Sequence, residues 1–309
     1  MNPTAPALEL QGLSKRFGRF QAVDQLSLAV PAGVMAGFLG PNGAGKSTTL
    51  YMISRLVRPS AGSIQAFGVD LLRDHKAAAG TVGITVETPA FYDYLTARQN
   101  LELAARLIGR VPPGQIDEIL ERVGLAERQH SPVRVFSTGM RQRLGIGRTL
   151  LGRPRLLILD EPTNGMDPEG MQEVLSFLRQ KVREEGLTIF ISSHLMSDIE
   201  EYCDQVFVLN RGQLVASGAV KELLRPHQRQ VRVQFQGTPP EPAVVRAWPQ
   251  VQGLTVLAPD VWEVSLATED AAWLNHALHQ TGSRIAALNP KQKSLKEFFL
   301  AITGDQAHA

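Results

Sequence analysis

The sequence predicts an α/β fold with a mixed, mostly parallel sheet, a helical subdomain and a small C-terminal α+β domain. Three observations predict it. Short apolar runs alternate with longer helical patterns up to about residue 225, a stretch near 93–150 has only helical patterns, and apolar-polar alternation begins after residue 226. Because 309 residues exceed the usual size of one domain, we expect two. These are 1–225, with its helical subdomain at about 93–150, and 226–309.

Short apolar runs of the first domain predict buried strands, since each is too short for a helix and rich in Val, Ile, Leu and Phe. These runs are 34–39, 156–159, 188–192 and 206–209. A helix is predicted to begin at Asp167-Pro168 and to end at Gly186, because proline is favoured at the first helical position and glycine after the last. Strands that alternate with such helices form a sheet with both faces covered.

Capping patterns predict the helices of the subdomain. Thr96 and Gln99 form a capping box in front of an apolar helical face. A second helix is expected near 116–123, where Gly124 ends it.

The C-terminal domain is predicted from two periodicities. Apolar and polar residues alternate over 231–235 and 262–266, which indicates half-buried strands. Apolar residues over 270–280 follow helical spacing, and Ser294 with Glu297 forms a capping box before a last helix.

Composition excludes several classes of protein. Lys and Arg total 32 against 30 Asp and Glu, which gives a formal net charge of only +2. So small a charge does not favour binding to nucleic acid, and we expect no nucleic-acid partner. The single cysteine, Cys203, excludes a disulfide framework and is expected to be a buried packing residue. No run approaches the ~20 apolar residues of a membrane span, and the first ten residues lack a signal-peptide pattern. We therefore expect a soluble, cytoplasmic chain.

A glycine-rich stretch directly after the predicted strand at 34–39 predicts a nucleotide site. Residues 40–47 fit G-x-x-x-x-G-K-[ST] between a predicted strand and a predicted helix, which is the context this motif requires. Its glycines let backbone N–H groups turn toward phosphate oxygens. Lys46 would reach the β- and γ-phosphates, and the Ser47 hydroxyl would ligate Mg²⁺. The predicted nucleotide-binding residues of this stretch are Gly40, Pro41, Asn42, Gly43, Ala44, Gly45, Lys46, Ser47 and Thr48.

Two adjacent carboxylates predict the second half of the site. Asp160 and Glu161 directly follow the apolar run 156–159. At the carboxyl end of a strand, Asp160 is placed to hold Mg²⁺ indirectly. Glu161 is the predicted catalytic residue that polarises an attacking water. The glycine-rich loop alone is compatible with a kinase, a GTPase or an ATPase. The two adjacent carboxylates favour hydrolysis of the nucleotide.

The stretch 136–143 resembles the signature motif of ATP-binding-cassette (ABC) proteins, which is usually LSGGQ followed by QR. Ser137 and Gly139 are kept, and the departures are Phe136, Thr138 and Met140. Ser137 is expected to cap a helix whose N–H groups and dipole face a phosphate, and Gly139 allows a close backbone approach. The resemblance implies an ABC cassette of the P-loop NTPase fold. In that family two cassettes pair head to tail, and the signature of one covers the ATP held by the other.

Further residues follow the same resemblance. Residues 164–167 look like the D-loop at the dimer interface, and His194 looks like the switch histidine that contacts the γ-phosphate. Phe17 matches the aromatic that stacks on adenine, with a core phenylalanine at a strand end as the alternative. Glu87 stands where the family usually has glutamine and is a further predicted metal ligand.

The pattern E-x-P-x-F-Y that starts at Glu87, and the ending over 294–304, resemble cassettes of bacitracin- and lantibiotic-resistance exporters and related drug exporters. The resemblance implies an ATPase that uses ATP and Mg²⁺, pairs as a homodimer and powers a multi-span permease on a separate chain. It would lie at the inner face of the cell membrane. Two alternatives are a soluble ABC ATPase acting on ribosomes or DNA, and a nucleotide-responsive binding module without turnover.

Overall fold

The computed structural model describes residues 5–74, 80–86, 89–109, 111–224, 227–268, 270–291 and 294–304. The chain divides into two compact units, each with its own buried core. The larger unit extends to Val220 and, among the described residues, also contains 302–304, and the smaller unit is Lys221–Ala301. The predicted domain boundary after residue 225 falls close to this division.

Two sheets form among the described residues of the larger unit, in the orders β10-β9-β3-β8-β7-β6 and β2-β1-β4-β5. Their strands are β1 (Leu8–Phe17), β2 (Phe20–Val30), β3 (Met35–Leu39), β4 (Ala61–Ala66), β5 (Val69–Asp70), β6 (Val82–Thr85), β7 (Leu156–Asp160), β8 (Thr188–Ser192), β9 (Gln205–Asn210) and β10 (Gln213–Ala219). The first sheet is parallel except for β10, and β3 and β8 are buried along their whole length. The predicted mixed, mostly parallel sheet is therefore confirmed.

The second, antiparallel sheet was not predicted from the sequence. Its longest strands, β1 and β2, pair with register shifts after Leu10, Leu13 and Lys15. Such bulges interrupt the alternation of buried and exposed side chains that identifies a strand in a sequence.

Helices cover the sheets and build the subdomain. They are α1 (Lys46–Ile53), α2 (Ala97–Ile108), α3 (Gln115–Arg122), α4 (Thr138–Leu150), α5 (Pro168–Glu185), α6 (Met196–Tyr202) and α7 (Val220–Leu223). The capping box of Thr96 and Gln99 is present at the start of α2. Asp167 and Pro168 occupy the N-cap and first position of α5, as the sequence predicts.

The carboxyl-terminal half of α4 packs against residues 89–91. A Cβ atom added at Gly145 would lie 2.3 Å from Pro89 Cγ, so only glycine fits this contact without displacement. Arg148 donates from Nη1 to the Ala90 carbonyl oxygen at 2.9 Å, and its guanidinium lies 5.1 Å from the centre of the Phe91 ring. Burial lowers the pKa of Arg148. These contacts fix α4 to the segment that follows Glu87 in the chain.

The smaller unit is an antiparallel sheet in the order β12-β13-β11-β14 with helices. Its elements are β11 (His227–Phe235), α8 (Pro242–Arg246), β12 (Val251–Ala258), β13 (Val261–Leu266), α9 (Ala271–Gln280), β14 (Ile285–Lys291) and most of α10 (Leu295–Gly304). The predicted strands, helix and Ser294 cap are confirmed, whereas β12 and β14 were not predicted. Trp262 is buried in this core against Phe235, with ring centres 4.9 Å apart.

Cys203 is buried, as predicted, and burial raises the pKa of its thiol. Within the described part of the chain, no helix combines the length and the apolar character that crossing a membrane requires.

Candidate active site

The glycine-rich loop connects the end of β3 to the start of α1. Gly43 and Gly45 have φ values of 81° and 103°, a left-handed conformation that glycine adopts without strain. A Cβ atom at Gly45 would lie 2.6 Å from the Ala22 carbonyl oxygen, whereas one at Gly43 would meet nothing within 4 Å. The loop is therefore packed against β2 on one side and open on the other, where a phosphate can approach its N–H groups.

Lys46 lies folded onto this loop. Its side chain donates from Nζ to the carbonyl oxygens of Gly40, at 2.7 Å, and Pro41, at 3.2 Å. Burial lowers the pKa of Lys46, while Glu161 and Asp160 act against that shift and raise it. The ammonium group is thus bonded to loop carbonyls and attracted by the charges of the two carboxylates at the end of β7, and a phosphate oxygen can replace a carbonyl as its partner. Ser47, the next residue, is exposed.

The two carboxylates are held from the neighbouring parallel strand. Asp160 and Ser192 face each other in register at the ends of β7 and β8. The Ser192 hydroxyl donates to Asp160 Oδ1 at 2.5 Å and accepts the N–H of Glu161 at 2.9 Å. Glu161 Oε2 lies 3.2 Å from Nδ1 of His194, so the structure brings together two of the predicted catalytic residues.

The stretch that resembles the ABC signature begins α4. Ser137 is the N-cap residue and accepts the N–H of Met140 at 3.2 Å, as predicted. A Cβ atom at Gly139 would lie 3.6 Å from Met166 Cε, and one at Gly165 would lie 3.1 Å from Thr138 Cγ2. The start of α4 therefore packs against the predicted D-loop of the same chain.

Phe17 is at the turn between β1 and β2 and is 49% exposed, which contradicts its alternative reading as a core residue. Lys15 Nζ lies 4.8 Å from its ring centre. Phe20, across the turn, is 65% exposed and was not predicted from the sequence. Strand β2 packs against Gly45 of the glycine-rich loop. The rings of Phe17 and Phe20 therefore belong to β1 and β2, the strand pair next to this loop. The available signal for Phe20 was an aromatic residue directly after the turn Gly18-Arg19.

Glu87 lies outside the described residues, and its predicted role in metal binding stays a prediction. Among the residues that the structure describes, no group of three or more His, Cys, Asp or Glu could hold a metal on its own. Mg²⁺ does not require such a group, because it usually binds through one or two protein oxygens together with substrate phosphates. Ser47 would supply such an oxygen, and Asp160 would hold the ion indirectly.

A phosphate-binding loop between a strand and a helix, with carboxylates at the end of a parallel strand of the same sheet, defines a P-loop nucleotide hydrolase. A family profile described as ABC transporter matches residues 23–164. An uncharacterized ABC transporter ATP-binding protein of Bacillus subtilis, YdbJ, is 34% identical over 309 residues, with 96% of each chain covered. The chain belongs to the family of ABC transporter ATP-binding proteins and is an ABC ATPase.

Two further comparisons agree with this assignment. The bacitracin transport ATP-binding protein BcrA of Bacillus licheniformis is 36% identical over 292 residues, which cover 94% of this chain and 95% of BcrA. A solved ATP-binding subunit of an ABC transporter superposes with a TM-score of 0.62 at 31% identity, over 70% of this chain and 91% of that one. The predicted fold class and ATPase activity are thereby confirmed.

Proposed function

We propose that this chain is the ATPase subunit of an exporter of drugs or peptide antibiotics, and that it powers a multi-span permease on a separate chain. The observation that carries the proposal is the similarity to BcrA along nearly the whole of both chains, which includes the smaller unit. A permease partner would hold the chain at the inner face of the cell membrane.

The active assembly is proposed to be a homodimer. Both halves of an ATP site occur in one chain: the loop with Lys46, and the capped helix start with Ser137. In a head-to-tail pair, Ser137 and Gly139 of one chain would complete the site formed by Lys46 of the other, so that two identical sites form.

Hydrolysis would depend on positioning and on charge stabilisation. Backbone N–H groups of the loop and Lys46 would bind the phosphates. Ser47 and Asp160 would hold Mg²⁺, which neutralises phosphate charge when bound. Glu161 would accept a hydrogen bond from the attacking water and thereby orient and polarise it. His194, within hydrogen-bond distance of Glu161, would hold that carboxylate and contact the γ-phosphate.

Substitution of Glu161 tests both the chemistry and the partner. E161Q removes the carboxylate charge but keeps the size of the side chain, so it should bind ATP and nearly abolish hydrolysis. E184Q makes the same change at an exposed position of α5 and should hydrolyse ATP like the parent chain. Full turnover by E161Q would contradict the role given to Glu161.

The partner can be captured with the same variant. Tagged E161Q and E184Q chains are purified from detergent-solubilised source membranes with Mg-ATP, and bound proteins are identified by mass spectrometry. A stoichiometric multi-span membrane protein enriched with E161Q is the expected result. Ribosomal or DNA-bound proteins without a permease would contradict the exporter proposal.

A further inference from the structure

Ser192 is a buried residue that forms hydrogen bonds with both acidic residues of the site. It is the last residue of β8 and has no exposed surface. Its hydroxyl proton goes to Asp160 Oδ1, and a lone pair on the same oxygen accepts the N–H of Glu161. One side chain thus binds the carboxylate of one acidic residue and the backbone of the next.

The backbone of Glu161 needs such a partner. Its φ of 43° is in the left-handed region, which residues with a Cβ atom avoid and which persists only where the surroundings fix it. The hydrogen bond from the Glu161 N–H to Ser192 directly follows the last register pair of β7 and β8. It fixes the turn that directs Glu161 Oε2 to His194 Nδ1, 3.2 Å away.

The carboxylate of Asp160 is oriented by the same hydroxyl. The distance of 2.5 Å from Ser192 Oγ to Oδ1 is that of a strong, charge-assisted hydrogen bond. With Oδ1 held, the plane of the carboxylate is fixed, and with it the direction of Oδ2. A group that supports Mg²⁺ must be oriented in this way, because Mg²⁺ tolerates little deviation from octahedral geometry.

We propose that Ser192 is a positioning residue for ATP hydrolysis, which aligns Asp160 and Glu161 through one hydroxyl without touching the nucleotide. The inference rests on the proposed roles of these two carboxylates. A hydroxyl that only filled hydrogen bonds in the core would affect stability alone. A positioning hydroxyl also affects kcat and the dependence on Mg²⁺.

The test compares S192A, S192T and the parent as full-length chains. Loss of the hydroxyl in S192A should lower kcat by about 10- to 100-fold and raise the Mg²⁺ concentration for half-maximal activity, as loss of an outer partner does at other metal sites. ATP affinity, measured by equilibrium binding without turnover, should stay close to the parent value. S192T keeps the hydroxyl on a strand-favouring side chain, so it should recover most of kcat.

Ser14 offers a matched control for loss of a buried hydroxyl. Its Oγ accepts the N–H of Gln25 at 2.9 Å, and Gln25 also has a left-handed φ, of 47°. S14A therefore removes the same kind of bond where no carboxylate is involved. It should lower the thermal unfolding temperature and leave kcat and the Mg²⁺ dependence unchanged.

E161Q is assayed in parallel, so that the two proposals fail separately. Parent-like kcat and Mg²⁺ dependence in S192A, with E161Q inactive, would overturn the positioning role and leave the proposed function standing. An equal loss of kcat in S14A would also overturn it. If S192A does not fold, S192C keeps the buried size with a weak hydrogen-bonding group. A folded S192C with parent kcat, or a folded S192T without activity, would then overturn the role.

Discussion

At the scale of the residue, Lys46 shows how the site is prepared for a ligand. Its ammonium group is bonded to the carbonyls of Gly40 and Pro41, and the charges of Glu161 and Asp160 oppose the lowering of its pKa by burial. Burial lowers the pKa of Lys46 from 10.5, so the folded chain loses this proton at a lower pH than the unfolded chain.

This shift predicts opposite pH effects on binding and on stability. ATP affinity should fall as pH rises through the lowered pKa of Lys46, because a neutral amine no longer attracts phosphate. Between that pKa and 10.5 the unfolded chain binds more protons, so the stability of the nucleotide-free chain should gain from rising pH there. Equilibrium ATP binding and urea unfolding between neutral and alkaline pH measure the two effects.

Two variants check that Lys46 is the group responsible. K46M has no titrating group and should lack the gain in stability. E161Q removes a charge that raises the pKa of Lys46, so its ATP affinity should begin to fall at a lower pH than in the parent. A fall that begins at a higher pH in E161Q would contradict this account.

The residues of the site differ in how far the sequence predicts them. The loop at 40–48 and the pair Asp160–Glu161 are contiguous, so the local pattern alone indicates their chemistry. Ser192 is 32 residues from Asp160 along the chain, and the two meet only because β7 and β8 pair in register. A short sequence motif cannot contain two residues so far apart in the chain. The polar residue at the end of each predicted strand was nevertheless a candidate for such a contact, because the ends of parallel strands meet at one edge of the sheet.

At the scale of the element, α4 joins two parts of the larger unit. It begins at the Ser137 cap and ends beside Pro89 and Ala90, and its 13 residues span about 20 Å. This helix therefore connects the stretch that resembles the ABC signature to residues 89–91.

The contact between Gly145 and Pro89 predicts a stability effect. G145A places a methyl group 2.3 Å from Pro89 Cγ, so it should lower the free energy of unfolding by about 1–3 kcal/mol, as overpacking usually does. Urea unfolding measures this value. In the P89A background the cost of G145A should be smaller, because the opposing Cγ atom is gone.

G147A is the matched control on the same helix. Its added methyl would lie 2.8 Å from Ile119 Cγ2 and 3.6 Å from Val123 Cγ1, so its closest approach is less severe than the 2.3 Å at Gly145. It should cost less than G145A, and equal stability of G145A and the parent would contradict the contact.

Strands with a regular pattern of apolar residues could be predicted from the sequence, whereas strands with an irregular pattern could not. The strand at 188–192 has an apolar centre and is completely buried, and its predicted bounds are the observed ones. In β12, by contrast, consecutive residues Thr255, Val256 and Leu257 are all exposed, and its pairing with β13 shifts register at both ends. Periodicity fails where neighbouring strands impose such bulges.

At the scale of the whole molecule, the two units have separate cores and can be followed by separate probes. All three tryptophans of the chain, Trp248, Trp262 and Trp273, belong to the smaller unit. Nucleotide binding by the loop reports on the larger unit. Tryptophan fluorescence therefore follows the unfolding of the smaller unit, which contains none of the candidate site residues.

A core substitution in the smaller unit should separate the two signals. W262A removes a buried ring and should destabilise that unit by about 3–5 kcal/mol. The remaining tryptophans should then report unfolding at lower urea concentration, while ATP binding persists to the parent concentration. Loss of both signals together in W262A would show that the units unfold as one.

The buried state of Cys203 makes the chain well suited to site-specific labelling. A thiolate is the reactive form, and both burial and the raised pKa of Cys203 disfavour it. Since this is the only cysteine in the sequence, a second one introduced on the surface would be the single reactive thiol under mild conditions. A spin label or fluorophore placed beside Ser137 would then test whether two copies approach each other during turnover, with no native residue removed to clear the background.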